Sequence, residues 1–170
     1  MTETILLAVI LIPCLIIAIV FHEVAHGWTA LALGDPTAKE QRRLSLNPIR
    51  HVDPIGTLLV PGALALFGGP IFGWAKPVPV RGDRLRDPRF GMVAVAAAGP
   101  ATNLVLAFIG ALVFGAVSGT IIASGATPPD WLLSAGGMFI LINVFLALFN
   151  LLPIPPFDGS HIVGGLLPPK

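Results

Sequence analysis

The pentapeptide HEVAH, residues 22–26, carries the clearest chemistry in the sequence. On a helix, side chains four residues apart lie on one face, so the imidazoles of His22 and His26 can reach a single zinc ion. Glu23 is rotated from that face by about 100° (3.6 residues per turn) and can act as a base beside the metal. This H-E-x-x-H arrangement is typical of zinc metalloproteases, although it also occurs by chance in soluble helices.

The surroundings of the pentapeptide are strongly apolar. Residues 5–21 carry no charge, and apolar sequence resumes after His26. Ionisable side chains inside a membrane segment are costly, so they rarely occur there without a partner or a function. Because a zinc ion would supply that partner, the membrane setting favours the metal interpretation over a chance match.

The composition indicates a membrane protein. Of 170 residues, 55% are hydrophobic and 11% are charged, and the mean hydropathy is +0.87. The net charge of +1 gives no support for a nucleic-acid partner.

The N-terminus has neither the basic region nor the cleavage site of a signal peptide, so we expect its apolar run to be retained. We expect a single domain over residues 1–170, and whether its C-terminus is shortened stays open.

Four hydrophobic stretches are candidates for membrane elements. The first covers residues 4–33, and the second, residues 55–75, is interrupted by Pro-Gly and Gly-Gly-Pro. The third opens near Phe90 and turns in SGATPPD, and the fourth begins near Trp131. We therefore predict an all-α polytopic membrane protein with three transmembrane helices and one broken hydrophobic segment.

The basic residues suggest a topology. Both connections that flank residues 55–75 are rich in Lys and Arg, whereas the loop before Trp131 has none. The positive-inside rule places both basic connections in the cytoplasm, which requires residues 55–75 to re-enter rather than span. The rival is a full fourth span. In the re-entrant topology His22, His26 and Asp158 share the cytoplasmic side of the membrane.

A third zinc ligand cannot be chosen from spacing alone. A catalytic zinc takes three protein ligands and leaves a fourth position for water. Asp158 is the only acidic residue after Asp130, and it follows a Pro-rich stretch that can end a helix. The alternative is that Asp158 and Gly159 form an ordinary surface turn.

Four motifs together resemble the site-2 proteases, a family of intramembrane zinc metalloproteases. They are HEVAH (22–26), NPIRHVDP (47–54), GPATN (99–103) and NLLPIPPFDG (150–159). The resemblance covers nearly the whole chain and is closest to the compact bacterial branch that lacks PDZ domains.

The resemblance implies a role for each matching residue. His22, His26 and Asp158 would bind one Zn²⁺ per chain, and Glu23 would be the catalytic base. Asn103 and Asn150 would act near the substrate backbone or the oxyanion. The implied activity is hydrolysis of peptide bonds within or near transmembrane segments of protein substrates in the lipid bilayer. The oligomeric state is open, and a non-proteolytic metal-binding protein or transporter is the alternative function.

Several polar residues have weaker interpretations. We expect His51 to make a structural hydrogen bond, Asn143 to bond between helices, and His161 to lie outside the ligand set. The segment GWAKPVPVRGD resembles the strand or loop beside the active site of the family and could present an edge to an extended substrate. Its alternative is an interfacial connection anchored by Trp74.

Overall fold

A computed structural model of the chain describes residues 2–60, 63, 66, 67 and 75–168. Within these residues the structure is helical and contains no strand. The α-helices are α1 (Thr2–Ala32), α2 (Thr37–Glu40), α3 (Pro88–Ala123), α4 (Asp130–Asn150) and α5 (Asp158–Leu166). Short 3₁₀ turns occupy Pro48–His51 and Gly82–Arg84, and a π-helical turn occupies Pro54–Leu59.

Three of the helices are long and apolar enough to cross a membrane. They are Val9–Ala32 within α1, the whole of α3 and the whole of α4. The predicted all-α membrane fold with three spanning helices is therefore confirmed. At 36 residues, α3 is about 54 Å long (1.5 Å per residue), which exceeds the roughly 30 Å of bilayer hydrocarbon.

Local signals place the helix ends. α1 ends before Gly34, whose φ of 111° favours glycine and which begins the sequence Gly-Asp-Pro. α3 starts at Pro88 after the N-cap Asp87, whose carboxylate accepts hydrogen bonds from two backbone N–H groups of the first turn. α3 ends before Gly125, which has a φ of 82°. The predicted turn between the last two spans is therefore confirmed.

α3 is the central helix, because it packs against α1, α4 and α5. Its contacts with α4 include a reciprocal pair of glycine and phenylalanine positions. A Cβ atom on Gly110 would lie 2.7 Å from Phe139, and one on Gly136 would lie 2.8 Å from Phe114. Each ring thus fills the space that a glycine leaves on the other helix, which is how membrane helices approach closely.

The predicted re-entrant segment, residues 55–75, lies largely outside the described residues, and so does Trp74. Of that segment the structure describes the start, which continues the π-helical turn over Pro54–Leu59. The choice between re-entrant and spanning forms stays a prediction.

The Gly136 contact predicts a selective loss of stability. Gly136→Val should lower the free energy of unfolding by about 1–3 kcal/mol, the usual effect of overpacking, because its side chain would collide with Phe114. Gly137→Val is the matched control, since a Cβ at Gly137 meets nothing within 4 Å. Thermal unfolding in detergent measures both variants. Equal midpoints for the two variants would contradict this packing.

Candidate metal centre

Three potential metal ligands from opposite ends of the chain lie together. α1 contributes His22 and His26, which are 7% and 9% exposed, and Asp158 is the first residue of α5. Asp158 Oδ2 lies 3.2 Å from His22 Nε2 and 3.4 Å from His26 Nε2. One potential ligand atom from each of the three side chains lies within 4.8 Å of the other two, which is close enough for one metal ion.

Hydrogen bonds at the far side of each imidazole fix its orientation. His22 Nδ1 donates to Asn103 Oδ1 (2.6 Å), and His26 Nδ1 donates to the carbonyl oxygen of Val95 (2.7 Å). Both partners are oxygens that only accept, so the ring proton of each neutral histidine is on Nδ1. The Nε2 atoms that face Asp158 therefore present lone pairs.

The side-chain amide of Asn103 is oriented by its other partners. Its Nδ2 donates to the carbonyl oxygen of Ala18 (3.1 Å) and to Asn143 Oδ1 (2.9 Å). The amide oxygen must then face His22. Asn143 Nδ2 in turn donates to the carbonyl oxygen of Phe139 (2.9 Å). Asn103 and Asn143 are both 0% exposed, and this buried chain of bonds connects α1, α3 and α4.

The donor set fits a cation. Asp158 Oδ2 is buried and has no hydrogen-bond partner. Burial raises the pKa of its carboxyl group, but hydrogen bonds and positive charge from the two neighbouring imidazoles in their protonated form lower it more, and the pKa falls to about 2. Asp158 is therefore ionised at neutral pH. A carboxylate oxygen and two nitrogen lone pairs at this separation repel one another unless a metal ion lies among them or an imidazole takes up a proton.

Two glycines permit this arrangement. A Cβ on Gly99 of α3 would lie 2.5 Å from His26 Nε2 and 2.6 Å from His22 Nε2, so the position beside both lone pairs is left open. A Cβ on Gly159 would lie 2.2 Å from the carbonyl oxygen of Leu151. Only glycine therefore lets the start of α5 fold against the end of α4.

The far end of α5 is held by Arg89 at the start of α3. Arg89 Nε donates to the carbonyl oxygen of Gly165 (2.7 Å), and its Nη2 donates to that of Leu167. Gly165 lies directly against Val93, where a Cβ would approach to 2.2 Å. These contacts fix the helix that begins with Asp158 relative to α3.

Glu23 is half-buried beside the histidines. Its Oε2 accepts a hydrogen bond of 2.7 Å from the backbone N–H of Val78. The connection before α3 thus reaches the neighbourhood of the ligand cluster. Sequence reasoning missed Val78, because a backbone N–H group has no residue-type signature.

The two predicted catalytic asparagines occupy different environments. Asn103 uses its oxygen for His22 and both amide hydrogens inside the protein, so it has no donor free for a substrate. The substrate or oxyanion contact that the resemblance implied for Asn103 stays a prediction. Asn150 is half-buried at the end of α4, and its amide donates to the carbonyl oxygen of Leu146 (2.9 Å). Among the described residues Asn150 makes no hydrogen bond with the ligand cluster.

The remaining polar predictions agree with the structure. His51 is 3% exposed and its Nε2 donates to the carbonyl oxygen of Ser45 (2.7 Å), which confirms a structural hydrogen bond. His161 is exposed and lies outside the described ligand cluster. Asn143 bonds between helices as predicted, but its link through Asn103 to His22 was missed. Complete burial of an amide in an apolar helix was the available signal.

Comparisons with known proteins agree with this picture. The family model described as Peptidase family M50 matches residues 116–169, which include Asn150 and Asp158. A Bacillus subtilis protein named "Putative zinc metalloprotease YwhC" is 44% identical over 94% of this chain and 69% of its own length.

Two further relatives carry similar names. "Putative zinc metalloprotease MJ0611" of Methanocaldococcus jannaschii is 31% identical over 85% of this chain and 63% of its own length. "Putative zinc metalloprotease Rip2" of Mycolicibacterium smegmatis is 29% identical over 85% of this chain and 52% of its own length. The chain thus spans about half to about two thirds of these three relatives. No solved structure matches it significantly. From the identity and coverage of the Bacillus relative, together with the family match, the chain belongs to peptidase family M50, the site-2 protease family.

Proposed function

We propose that this chain is a zinc endopeptidase that cleaves peptide bonds within or near transmembrane segments of membrane proteins. The observation that carries the proposal is the convergence of His22 Nε2, His26 Nε2 and Asp158 Oδ2 inside a bundle of membrane-spanning helices. The names of the relatives, which specify zinc and proteolysis, support the same reading.

The metal in this proposal is one Zn²⁺ held by His22, His26 and Asp158. Two imidazoles and one carboxylate are a ligand set that catalytic zinc sites use, with the fourth position left for water. When bound, Zn²⁺ lowers the pKa of its water and polarises the scissile carbonyl group. The open position at Gly99 and the unpartnered Asp158 oxygen support this assignment.

Glu23 supplies the proton chemistry. Its carboxylate accepts a proton from the attacking water and later delivers it to the leaving amine. It follows His22 directly in α1, so the base and the two histidine ligands share one helix. The half-buried position beside His22 and the hydrogen bond from Val78 support this role.

Asn103 acts as a positioning residue for the metal ligand. Its oxygen accepts the Nδ1 proton of His22 and thereby keeps the Nε2 lone pair directed toward Asp158. Asn143 holds Asn103 in the orientation that makes this possible. Asn150, at the end of α4, keeps its proposed role near the substrate.

The location of the site limits the substrate. His22 and His26 lie in the last third of α1, within the stretch that can span a membrane. A substrate helix must unwind before hydrolysis, because its carbonyl groups are hydrogen-bonded and sterically enclosed. The basic residues around residues 55–75 support a site on the cytoplasmic side of a bacterial plasma membrane.

Glu23→Gln tests the proposed activity directly. The variant should keep its bound Zn²⁺ but lose cleavage of a model transmembrane substrate by at least about 100-fold, because an amide cannot accept the proton. Gel analysis of the substrate in detergent and metal analysis of the protein measure the two quantities. Undiminished cleavage would contradict the role of Glu23, and a wild-type protein that binds zinc without cleaving would favour the binding or transport alternative.

Gly99→Ala should reduce the Zn²⁺ content. The added methyl group would occupy the position next to both Nε2 atoms and displace the imidazoles. Gly115→Ala on the same helix is the matched control, because a Cβ there meets nothing within 4 Å. Metal analysis after equilibration with equal free Zn²⁺ compares the variants. Full occupancy in Gly99→Ala would place the metal elsewhere.

Asn103→Leu should weaken Zn²⁺ binding by about 10–100-fold, the usual effect of removing the hydrogen-bond partner of a ligating histidine. The residue is buried, and leucine has the same side-chain branching and number of heavy atoms, so the variant removes the polar contacts and keeps the shape of the side chain. Competition with a chromogenic chelator measures the affinity. An unchanged affinity would exclude Asn103 as a positioning residue for the site.

A further inference from the structure

The segment before α3 runs alongside α1 at the proposed base. Residues 75–80 are outside any helix, and their sequence is AKPVPV. We call residues 75–81 the Pro-Val-Pro segment. The backbone N–H of Val78 at its centre donates to Glu23 Oε2 over 2.7 Å. Within the described residues Glu23 Oε1 makes no hydrogen bond. The two carboxylate oxygens therefore differ: Oε2 is hydrogen-bonded and Oε1 is not.

The sequence of the segment restricts its backbone donors. Pro77 and Pro79 have no N–H group, so Val78 carries the only amide hydrogen between Lys76 and Val80. A residue before proline is also pushed toward the extended conformation, which applies to both Lys76 and Val78. Such a segment is stiff and offers a single donor at its centre.

The N-terminal part of the segment is fixed to the connection that follows α2. The backbone N–H of Lys76 donates to the carbonyl oxygen of His51 (2.9 Å). The carbonyl oxygen of Lys76 accepts from Arg43 Nη2 (2.6 Å), and Arg43 is only 7% exposed. A buried guanidinium thus holds the segment two residues before Val78.

The C-terminal part of the segment is fixed to the end of α1. The backbone N–H of Arg81 donates to Asp35 Oδ2 (2.6 Å). Asp35 is 0% exposed, and its other oxygen accepts from the backbone N–H of Thr37 (3.0 Å) and from the Thr37 hydroxyl. Both ends of the segment are therefore attached to buried polar groups.

The side chain of Val78 fits a space on α1 that glycine leaves. Val78 is 7% exposed. A Cβ on Gly27 would lie 2.9 Å from Val78 Cγ1 and 2.5 Å from Leu44 Cδ2. Gly27 is four residues after Glu23, so Val78 packs one helical turn from the carboxylate that its backbone contacts. The position of Val78 on α1 is therefore fixed both by side-chain packing against Gly27 and by the backbone hydrogen bond to Glu23.

We propose that Val78 is a positioning residue whose backbone N–H holds Oε2 of Glu23, so that Oε1 is the oxygen that accepts the proton. The inference rests on the proposed role of Glu23 as the base. A glutamate side chain has three rotatable bonds, and a catalytic group is effective only when its geometry is held within fractions of an ångström. Because Pro77 and Pro79 have no N–H group, Val78 is the only residue between Lys76 and Val80 whose backbone can donate this hydrogen bond.

Val78→Pro removes this donor at a position that lies outside any helix and already stands between two prolines. We expect kcat to fall by about 10–100-fold, since loss of orientation near the reacting atoms has effects of this size. KM for a transmembrane substrate should change less than about twofold, and zinc content should stay at the wild-type level. Val78 is not among the proposed zinc ligands and is not assigned to substrate binding. Val80→Pro is the matched control. It removes the next N–H along the segment, which makes no hydrogen bond in the described part of the chain.

A second measurement reads the hydrogen bond without using activity. Amide hydrogen exchange of zinc-loaded wild-type protein and of Glu23→Ala should show exchange at Val78 at least about 10-fold faster in the variant. Exchange at Arg81, which is bonded to Asp35, should not change. The prolines simplify the readout, since a peptide over residues 76–81 has few exchangeable amides.

The outcomes separate this inference from the proposed function. Equal kcat in Val78→Pro and Val80→Pro, or unchanged exchange at Val78 in Glu23→Ala, would overturn the positioning role even in an active protease. If Glu23→Ala speeds exchange at Val78 but the wild-type protein does not cleave, the hydrogen bond exists and the proposed function has failed, which removes the catalytic role of the bond.

Discussion

The structure depends on one electrostatic constraint, the approach of three electron-pair donors inside an apolar helix bundle. His22 Nε2, His26 Nε2 and Asp158 Oδ2 face one another at separations where a positive charge between them, a bound metal ion or a proton on an imidazole, makes their proximity favourable. In the neutral form of each ring the proton is on Nδ1, so Nε2 presents a lone pair to Asp158 and can bind a metal ion. The bundle therefore has to hold these groups together at a cost that a bound metal offsets.

Much of the packing is arranged around that constraint. α3 passes next to the imidazoles with Gly99 and holds them from behind through Asn103 and Val95. α5 begins at Asp158, where Gly159 allows the close turn, and the other end of α5 is attached to α3 by Arg89. Ligands more than a hundred residues apart thus depend on α3 as their common support.

The parts of the structure that hydropathy and local motifs determine could be predicted from the sequence. The three spanning helices follow from apolar runs and Gly-Pro breaks, and the helical spacing of His22 and His26 defines one face. Asp158 could be chosen only through the resemblance to a family, because its approach depends on how α5 returns to α1. The orientation of Asn103 and the contact of Val78 depend on tertiary packing and on a backbone donor, which residue types do not encode.

The central claim is that these three side chains form a single metal site, and the position of the bound ion tests it most directly. Anomalous diffraction at the zinc edge from crystals of the zinc-loaded protein would locate the ion. The account predicts one ion at about 2.0–2.2 Å from His22 Nε2, His26 Nε2 and a carboxylate oxygen of Asp158. An ion bound through Nδ1 of either histidine, or one that leaves Asp158 uncoordinated, would contradict it.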